Sequence, residues 1–356
     1  MQPVVHFAPL SGNDDLLIIH AKIEALFDAA DMASCIDPND MVAIKTHFGE
    51  QGNTTHVPSS YMSPIVKRIK QAGGKPFLTD TNVLYKSVRS DSISHLALAH
   101  AHGFTMENCG APVIIADGLR GDRETNVPIS GELFNEVSIA TDAVASHAMV
   151  VVSHVTGHLA AGMGAALKNL GMGLASRKGK MRQHSSVKPW ISKSKCTGCG
   201  QCVEWCPENA IAMQDDIAEI QPAICIGCGE CLTVCQFAAV QYNWQTSSAD
   251  LQKSIAEHAL GAVINKKNKV GFLNFVINIT KDCDCMGFKQ KPVIHDFGLL
   301  ASKDPVAIDQ ASLDLISNAD KRLRDLAYKH IDETIQLQHA EKIGLGSTRY
   351  ELIEAL

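Results

Sequence analysis

Eight of the twelve cysteines fall in two runs: Cys196, Cys199, Cys202 and Cys206 followed by Pro207, then Cys225, Cys228, Cys231 and Cys235. The runs are copies offset by 29 residues, with Gly198 matching Gly227, Gly200 matching Gly229 and Ala210 matching Ala239. A tight Cys-x-x-Cys-x-x-Cys loop brings three thiolates to the corners of an iron–sulfur cubane, and a fourth cysteine arrives from elsewhere in the chain. The duplication therefore predicts two 4Fe–4S clusters. A disulfide scaffold or paired zinc sites are the plainer alternatives, but zinc ribbons use two pairs of cysteines with long gaps and not triplets.

The spacing is that of a bacterial two-cluster ferredoxin, in which the fourth ligand is exchanged between runs. That pattern assigns Cys196, Cys199, Cys202 and Cys235 to one cluster, and Cys225, Cys228, Cys231 and Cys206 to the other. Pro207 is matched by Gln236 in the second run, which removes a rigid turn and no ligand.

At 356 residues and 46% apolar content the chain is long enough for two domains. No apolar run approaches the roughly 20 residues that span a bilayer, and no basic and apolar leader is visible, so the expectation is a cytoplasmic protein without a membrane partner. A net charge of -6 argues against nucleic acid as a partner. The distribution is more telling. From Ala143 to Val203 there is no acid, while Lys168, Arg177, Lys178, Lys180, Arg182, Lys188, Lys193 and Lys195 all fall inside. Such a positive field suits a small anionic substrate or offsets the charge of thiolate-bound clusters; a solvated basic loop is the simpler reading.

Short apolar strands alternate with helical stretches outside the cysteine runs, which predicts an α/β fold with a mostly parallel sheet covered by helices. Strands are expected at Val4–Phe7, Val42–Thr46, Lys75–Thr79, Val113–Ala116, Met149–Ser153, Gly271–Thr280 and Val293–His295. Helices are expected around Ile19–Ala30, from a Ser63 cap to Gly73, over Leu251–Val263, and from Asp304–Pro305 to about Asn318. The region from Lys321 to Leu356 reads as helical and charged. Residues 187–245 form a small two-cluster ferredoxin-like α+β module, which interrupts an α/β body made of residues 1–186 and 246–356.

Ligands of open α/β sheets bind beyond the carboxyl ends of the strands. There the sequence places Lys45, His47 and Glu50; Asp80, Asn82 and Tyr85; His154 and His158; Cys283 and Cys285; and Asp296. Any one is ordinarily a cap or a turn residue, but five such strand ends together point to a site. On the long strand Leu273, Phe275, Ile277 and Ile279 share an apolar face, and the opposite face, Asn274 to Asp284, would line a cleft. Cys283 and Cys285 share a side, as a metal ligand pair or a redox dithiol requires, although two buried reduced thiols would look the same. Glycines from Gly162 to Gly173 let backbone approach a ligand near Lys168, without forming a Walker or dinucleotide fingerprint. Asp309 shares a helix face with Val306 and Leu313, where a carboxylate needs a partner or a raised pKa.

Val42-Ala-Ile-Lys-Thr-His-Phe-Gly-Glu50, Leu78-Thr-Asp-Thr-Asn82, Ser153-His154 through Gly173, the double cysteine motif, Asp282-Cys-Asp-Cys285 and Asp304-Pro-Val-Ala-Ile-Asp309 together resemble the iron–sulfur-centre proteins of domain-of-unknown-function family 362. The resemblance covers nearly the whole chain and implies an α/β body carrying a ferredoxin-type insert. It implies no particular reaction.

From the residues, the expected function is electron relay from two 4Fe–4S clusters to a substrate or metal site on the body. Ferredoxin or another redox protein would be the partner. His47, Asp80, His154, His158 and Asp309 are the catalytic candidates, with His154 or His158 as proton donor. Lys45, Asn82 and Lys168 are the binding candidates, and Cys283 and Cys285 are candidates for a further metal. A non-catalytic electron carrier, and a metal-dependent isomerase or lyase with structural clusters, are the rival readings.

Overall fold

Runs such as Met-Val-Ala-Ile-Lys and Ala-Met-Val-Val-Val-Ser-His are rich in β-branched and apolar residues with few polar interruptions, the pattern of strands buried on both faces. In the computed structural model, which describes residues 2–12, 14–85, 87–184, 188–225, 229–241, 247–319 and 321–355, they form the middle of one sheet. Its strands are β1 (Val4–Pro9), β2 (Met41–Lys45), β3 (Lys75–Asp80), β4 (Val113–Ile115), β5 (Ala148–His154), β6 (Val270–Val276), β7 (Gly298–Ser302) and β8 (Glu351–Glu354). The spatial order is β8-β1-β7-β6-β5-β2-β3-β4. All neighbours pair in parallel except at β7, which is antiparallel to both β1 and β6. The fold is α/β with a mostly parallel sheet.

Helices cover both faces. α1 (Leu16–Ala29), α2 (Met62–Gln71) and α3 (Ser92–Ala101) lie on one side, where Ile23, Phe27, Ile65 and Ile69 pack with Val150, Val152 and Phe275. α4 (Ala166–Gly171), α6 (Ser248–Val263) and α7 (Pro305–Ser317) lie on the other, where Leu167, Leu170, Ala259 and Ile308 pack with Met149, Val151 and Phe272. α5 (Arg177–His184) follows α4, and α8 (Ile335–Lys342) packs against α6. Alternate residues of β5 serve opposite cores, as the period of two requires. Among the described residues, no helix is long and apolar enough to cross a membrane.

Asp15, Asp91, Ser247 and Asp304 cap α1, α3, α6 and α7 through their side chains; Asp304 accepts from the amides of Val306 and Ala307, each at 2.9 Å. The cap expected at Ser63 lies two residues earlier, at Tyr61, and α2 begins at Met62.

Three expectations need correction. The long strand stops at Val276, because Asn278 turns into the left-handed region at φ 46° and ends the pleat. Its polar face therefore does not line a cleft as one surface: Asn274 is buried under α7, bonded to Asp309 and Ser312 at 2.8 and 3.0 Å. Val293–His295 is not a strand; the chain enters the sheet at Gly298, so Asp296 does not end one. The last 36 residues are not all helical, since Glu351–Glu354 pairs with β1 at the sheet edge.

β5 and β6 are adjacent, in register from Met149 opposite Val270, and the two cysteine runs lie in the chain between them. That segment pairs Trp190–Ile191 with Val240–Gln241 and Ile211–Gln214 with Ile217–Ile220, both antiparallel. Its sequence duplication is repeated in the backbone. Gly200 and Gly229 (φ 73° and 81°) each open a short helix, and Asn209 and Ala238 (φ 51° and 50°) each follow one in the left-handed region.

Candidate active site at the strand ends

The carboxyl ends of β2, β3 and β5, with the chain beyond β6, open into one cavity of about 540 Å³. Lys45, His47, Asp80, His154, His158, Lys168, Cys283 and Cys285 all line it. So do Tyr85, Arg89, Lys180, His184 and Asp284, with Val57, Val83, Leu84, Val152, Leu159, Met172 and Met286 supplying apolar wall.

Its charges are mostly paired within the protein. Lys45 Nζ lies 3.0 Å from Asp80 Oδ1 and donates to Asn169 Oδ1 at 2.6 Å. Burial lowers the Lys45 pKa against the pull of Asp80. Burial acts to raise that of Asp80, but Lys45 foremost, then His47, His95 and Arg89, hold the carboxyl well below the usual range. Arg89, fully buried, donates from Nε to Glu50 at 3.1 Å and from Nη2 to the Tyr85 hydroxyl at 2.6 Å, and its Nη1 is 3.0 Å from His47 Nε2.

His154 Nδ1 meets Asp284 Oδ2 at 2.8 Å and Nε2 donates to the Ile277 carbonyl at 2.7 Å. Burial opposes charge on this ring, yet the Asp284 carboxylate outweighs it and raises its pKa, while Asp284 itself is held down to about 2. With both nitrogens engaged by Asp284 and Ile277, the His154 ring is held in a fixed orientation. His158 is different. Its Nδ1 accepts the amides of Ala160 and Ala161 at 3.2 and 2.9 Å, so the ring proton sits on Nε2. Burial, aided by Lys168, keeps the ring neutral by pushing its pKa well down.

The two neighbouring thiols act on each other so that Cys283 is pushed well up and Cys285 well down; burial raises both, and Lys168 and His47 further favour a thiolate on Cys285. The Cys285 sulfur lies 3.5 Å from His47 Nε2.

Two candidates stand outside the cavity. Asn82 donates its backbone amide and side chain to Asp117 at about 3.0 and 2.9 Å and ties that carboxylate to the β3 end. Asp309, fully buried, accepts the first amides of α4, Ala166 and Leu167, each at 2.9 Å. It fixes the helix that carries Lys168. The Gly162–Gly164 segment is a strand paired with Thr156–His158; a Cβ on Gly162 would come 2.7 Å from Glu333 Cβ, whereas Gly164 lines the cavity, where a Cβ would come 3.6 Å from Lys168 Cδ.

Arg89 and Lys180 were not singled out from sequence as site residues. Arg89 lies in a serine-rich turn without periodicity, and its pairing with Glu50 spans 39 positions. Lys180 was visible only as one member of the basic stretch. It donates to Thr81 Oγ1 and the Ala175 carbonyl, both at 2.6 Å, and burial lowers its pKa to about 8.

In the cysteine segment, Cys196, Cys199, Cys202 and Cys235 line one small void with Thr197, Gly200 and Phe237. The carboxyl-side cysteine of each run accepts an equivalent amide: Ala210 to Cys206 at 3.2 Å, Ala239 to Cys235 at 3.3 Å. Such amides stabilise sulfur that carries negative charge. This donor set, three cysteines of one loop joined by the last of the other run, fits a cubane. Cys228 lies outside the described residues; Cys225 is half-buried and Cys231 buried. No three His, Cys, Asp or Glu side chains among the described residues are grouped for a single metal ion. A cubane differs, because its thiolates stand at the corners of a cluster. The second run also touches the body: a Cβ on Gly229 would lie 2.7 Å from Met181 Sδ, on the helix that sends Lys180 and His184 into the cavity.

No curated protein matches the chain. Among solved structures, the lactate racemase apoprotein from Thermoanaerobacterium thermosaccharolyticum is similar, at 13% identity and a TM-score of 0.47; the match covers 89% of this chain and 57% of that one, so this chain spans a little over half its length. The profile of the family "Domain of unknown function (DUF362)" matches residues 42–314, from the start of β2 into α7. The protein belongs to the DUF362 family.

Proposed function

We propose that this protein is an iron–sulfur oxidoreductase, in which two 4Fe–4S clusters held by Cys196, Cys199, Cys202, Cys235 and by Cys206, Cys225, Cys228, Cys231 exchange electrons with a small anionic substrate in the strand-end cavity. The observation that carries the reading is the meeting of Cys196, Cys199 and Cys202 with Cys235 around one void. The contact of Gly229 with Met181 adds a short path to the cavity wall.

Bound clusters supply single electrons at a potential set by their surroundings. The chain's own residues do the rest. Lys168 gives the anion a counter-charge, His158 offers a neutral Nε2–H, and the Asp284–His154 pair fixes the wall between them. The Cys283 thiol and Cys285 sulfur form a dithiol beside Lys168. Ferredoxin or a similar low-potential carrier is the proposed partner.

Material purified without oxygen should contain about eight irons and as many labile sulfides per chain, four of each per cubane, with paramagnetic signals on reduction. Cys202→Ser should remove about half the iron. A folded protein without iron overturns the reading. A Cys283→Ser/Cys285→Ser variant that keeps its iron and still cycles electrons, in a protein whose cavity binds nothing, would instead make it an electron carrier.

A further inference from the structure

Among the described residues, Lys168 differs from the other cavity cations in having no direct hydrogen-bond or carboxylate partner; burial disfavours its ammonium form, but the nearby Cys283, Cys285 and Asp284 outweigh it. Lys45 is matched by Asp80, Arg89 by Glu50 and His154 by Asp284, and Lys180 donates to Thr81 and Ala175. Among the described residues no hydrogen bond or ion pair reaches Lys168 Nζ, and neither cavity thiol is within hydrogen-bonding distance of it. Its side chain is partly exposed and lines the cavity, so the ammonium is open to an incoming anion and would give it a counter-charge.

The same surroundings select the anion. The amides at the N-terminus of α4, which would otherwise cradle a phosphate, are taken by Asp309 at 2.9 Å each. Among the described residues, neither Lys168 nor Lys180 has a carboxylate within ion-pair reach, but Lys180 is held by Thr81 and Ala175, so Lys168 is the cation open to a ligand, with the neutral Nε2–H of His158 as a second donor. That is enough for one carboxylate and too little for a phosphate dianion. The walls available to the rest of the ligand are Val57, Val83, Leu84, Val152, Leu159 and Met172.

We propose that the cavity binds a monocarboxylate with an apolar body, its carboxylate on Lys168 Nζ and His158 Nε2 and its chain or ring against that apolar wall. This rests on the cavity being the substrate site, and its failure is separable from failure of the cluster reading because binding is measured at constant iron content.

The test is calorimetric titration of the anaerobically purified full-length protein with phenylacetate, hexanoate, phenylacetamide and inorganic phosphate. Phenylacetate or hexanoate should bind, with phenylacetamide weaker by about tenfold or more, in keeping with a hydrogen bond to a charged group. Lys168→Met should lose binding by a similar factor, Lys168→Arg should restore part of it, and Cys285→Ser should keep it. Three results overturn the proposal: neither acid binds the wild type, the amide binds as well as the acid, or phosphate competes with phenylacetate at equal concentration. The wild-type comparisons decide the matter even if Lys168→Met does not fold.

Discussion

Lys45 Nζ and Asp80 Oδ1 stand 3.0 Å apart across the ends of two adjacent parallel strands, with both side chains buried. Removing one partner leaves the other charged in a dry site, which costs about 3–5 kcal/mol. Asp80→Asn is therefore expected to lower the urea midpoint strongly. Asp80→Asn with Lys45→Met should lose clearly less than the sum of the single variants; additive losses would mean that the two side chains are not coupled.

Asp309 gives a pH signature. Burial raises its pKa from 3.8 to about 6, although the amides of α4 and Asn274 oppose the shift. The native state therefore holds this proton more tightly than the unfolded chain, and the carboxyl's contribution falls as pH rises from about 4 to about 6, by on the order of 3 kcal/mol. Asp309→Asn removes the titration and one of the two amide acceptors. The stability advantage of wild type over the variant should be larger at pH 4.5 than at pH 6.5, measured by denaturant midpoints; a constant difference would refute the assignment.

Cys285 should differ from the buried cysteines. Burial pushes the Cys109 thiol up to about 11 and raises Cys35, whereas Cys285 is lowered by the Cys283 hydrogen bond, Lys168 and His47. Alkylation with iodoacetamide at pH 7, followed by peptide mass spectrometry, should modify Cys285 well ahead of Cys35 and Cys109. Lys168→Met should slow it. Equal labelling of all three would contradict a thiolate at Cys285.

Gly229 meets two demands at once, a φ of 81° and the approach of Met181 Sδ. Gly229→Val should strain the loop and displace Met181, costing roughly 1–3 kcal/mol. It should also lower the iron content toward half, whereas Gly200→Ala, with open space around it, should keep more iron. Iron analysis of the two variants checks this.

The central strands were legible because β2, β5 and β6 are apolar, largely β-branched or aromatic, and buried on both faces. β7 was not. Gly-Leu-Leu-Ala-Ser carries no β-branched or aromatic residue, and its strand state comes from pairing with β1 and β6 rather than from its own preference. β8 likewise exists only through β1. Most of the cavity was readable from strand ends, since position after a parallel strand places a side chain at one edge of the sheet. Tertiary partners were not readable: Asp309 beneath α4, and Arg89 joined to Glu50, depend on contacts between segments far apart in the chain.

The placement of the cysteine segment between β5 and β6 sets an order of assembly during synthesis. Both thiol runs leave the ribosome before β6, β7 and the Cys283–Cys285 stretch exist, so the seam between β5 and β6 closes only after the cysteine segment is made, over a long loop whose ends must be brought together. In the cluster-binding reading proposed above, iron would meet the segment while the neighbouring cavity still lacks the wall that Cys283–Cys285 supplies.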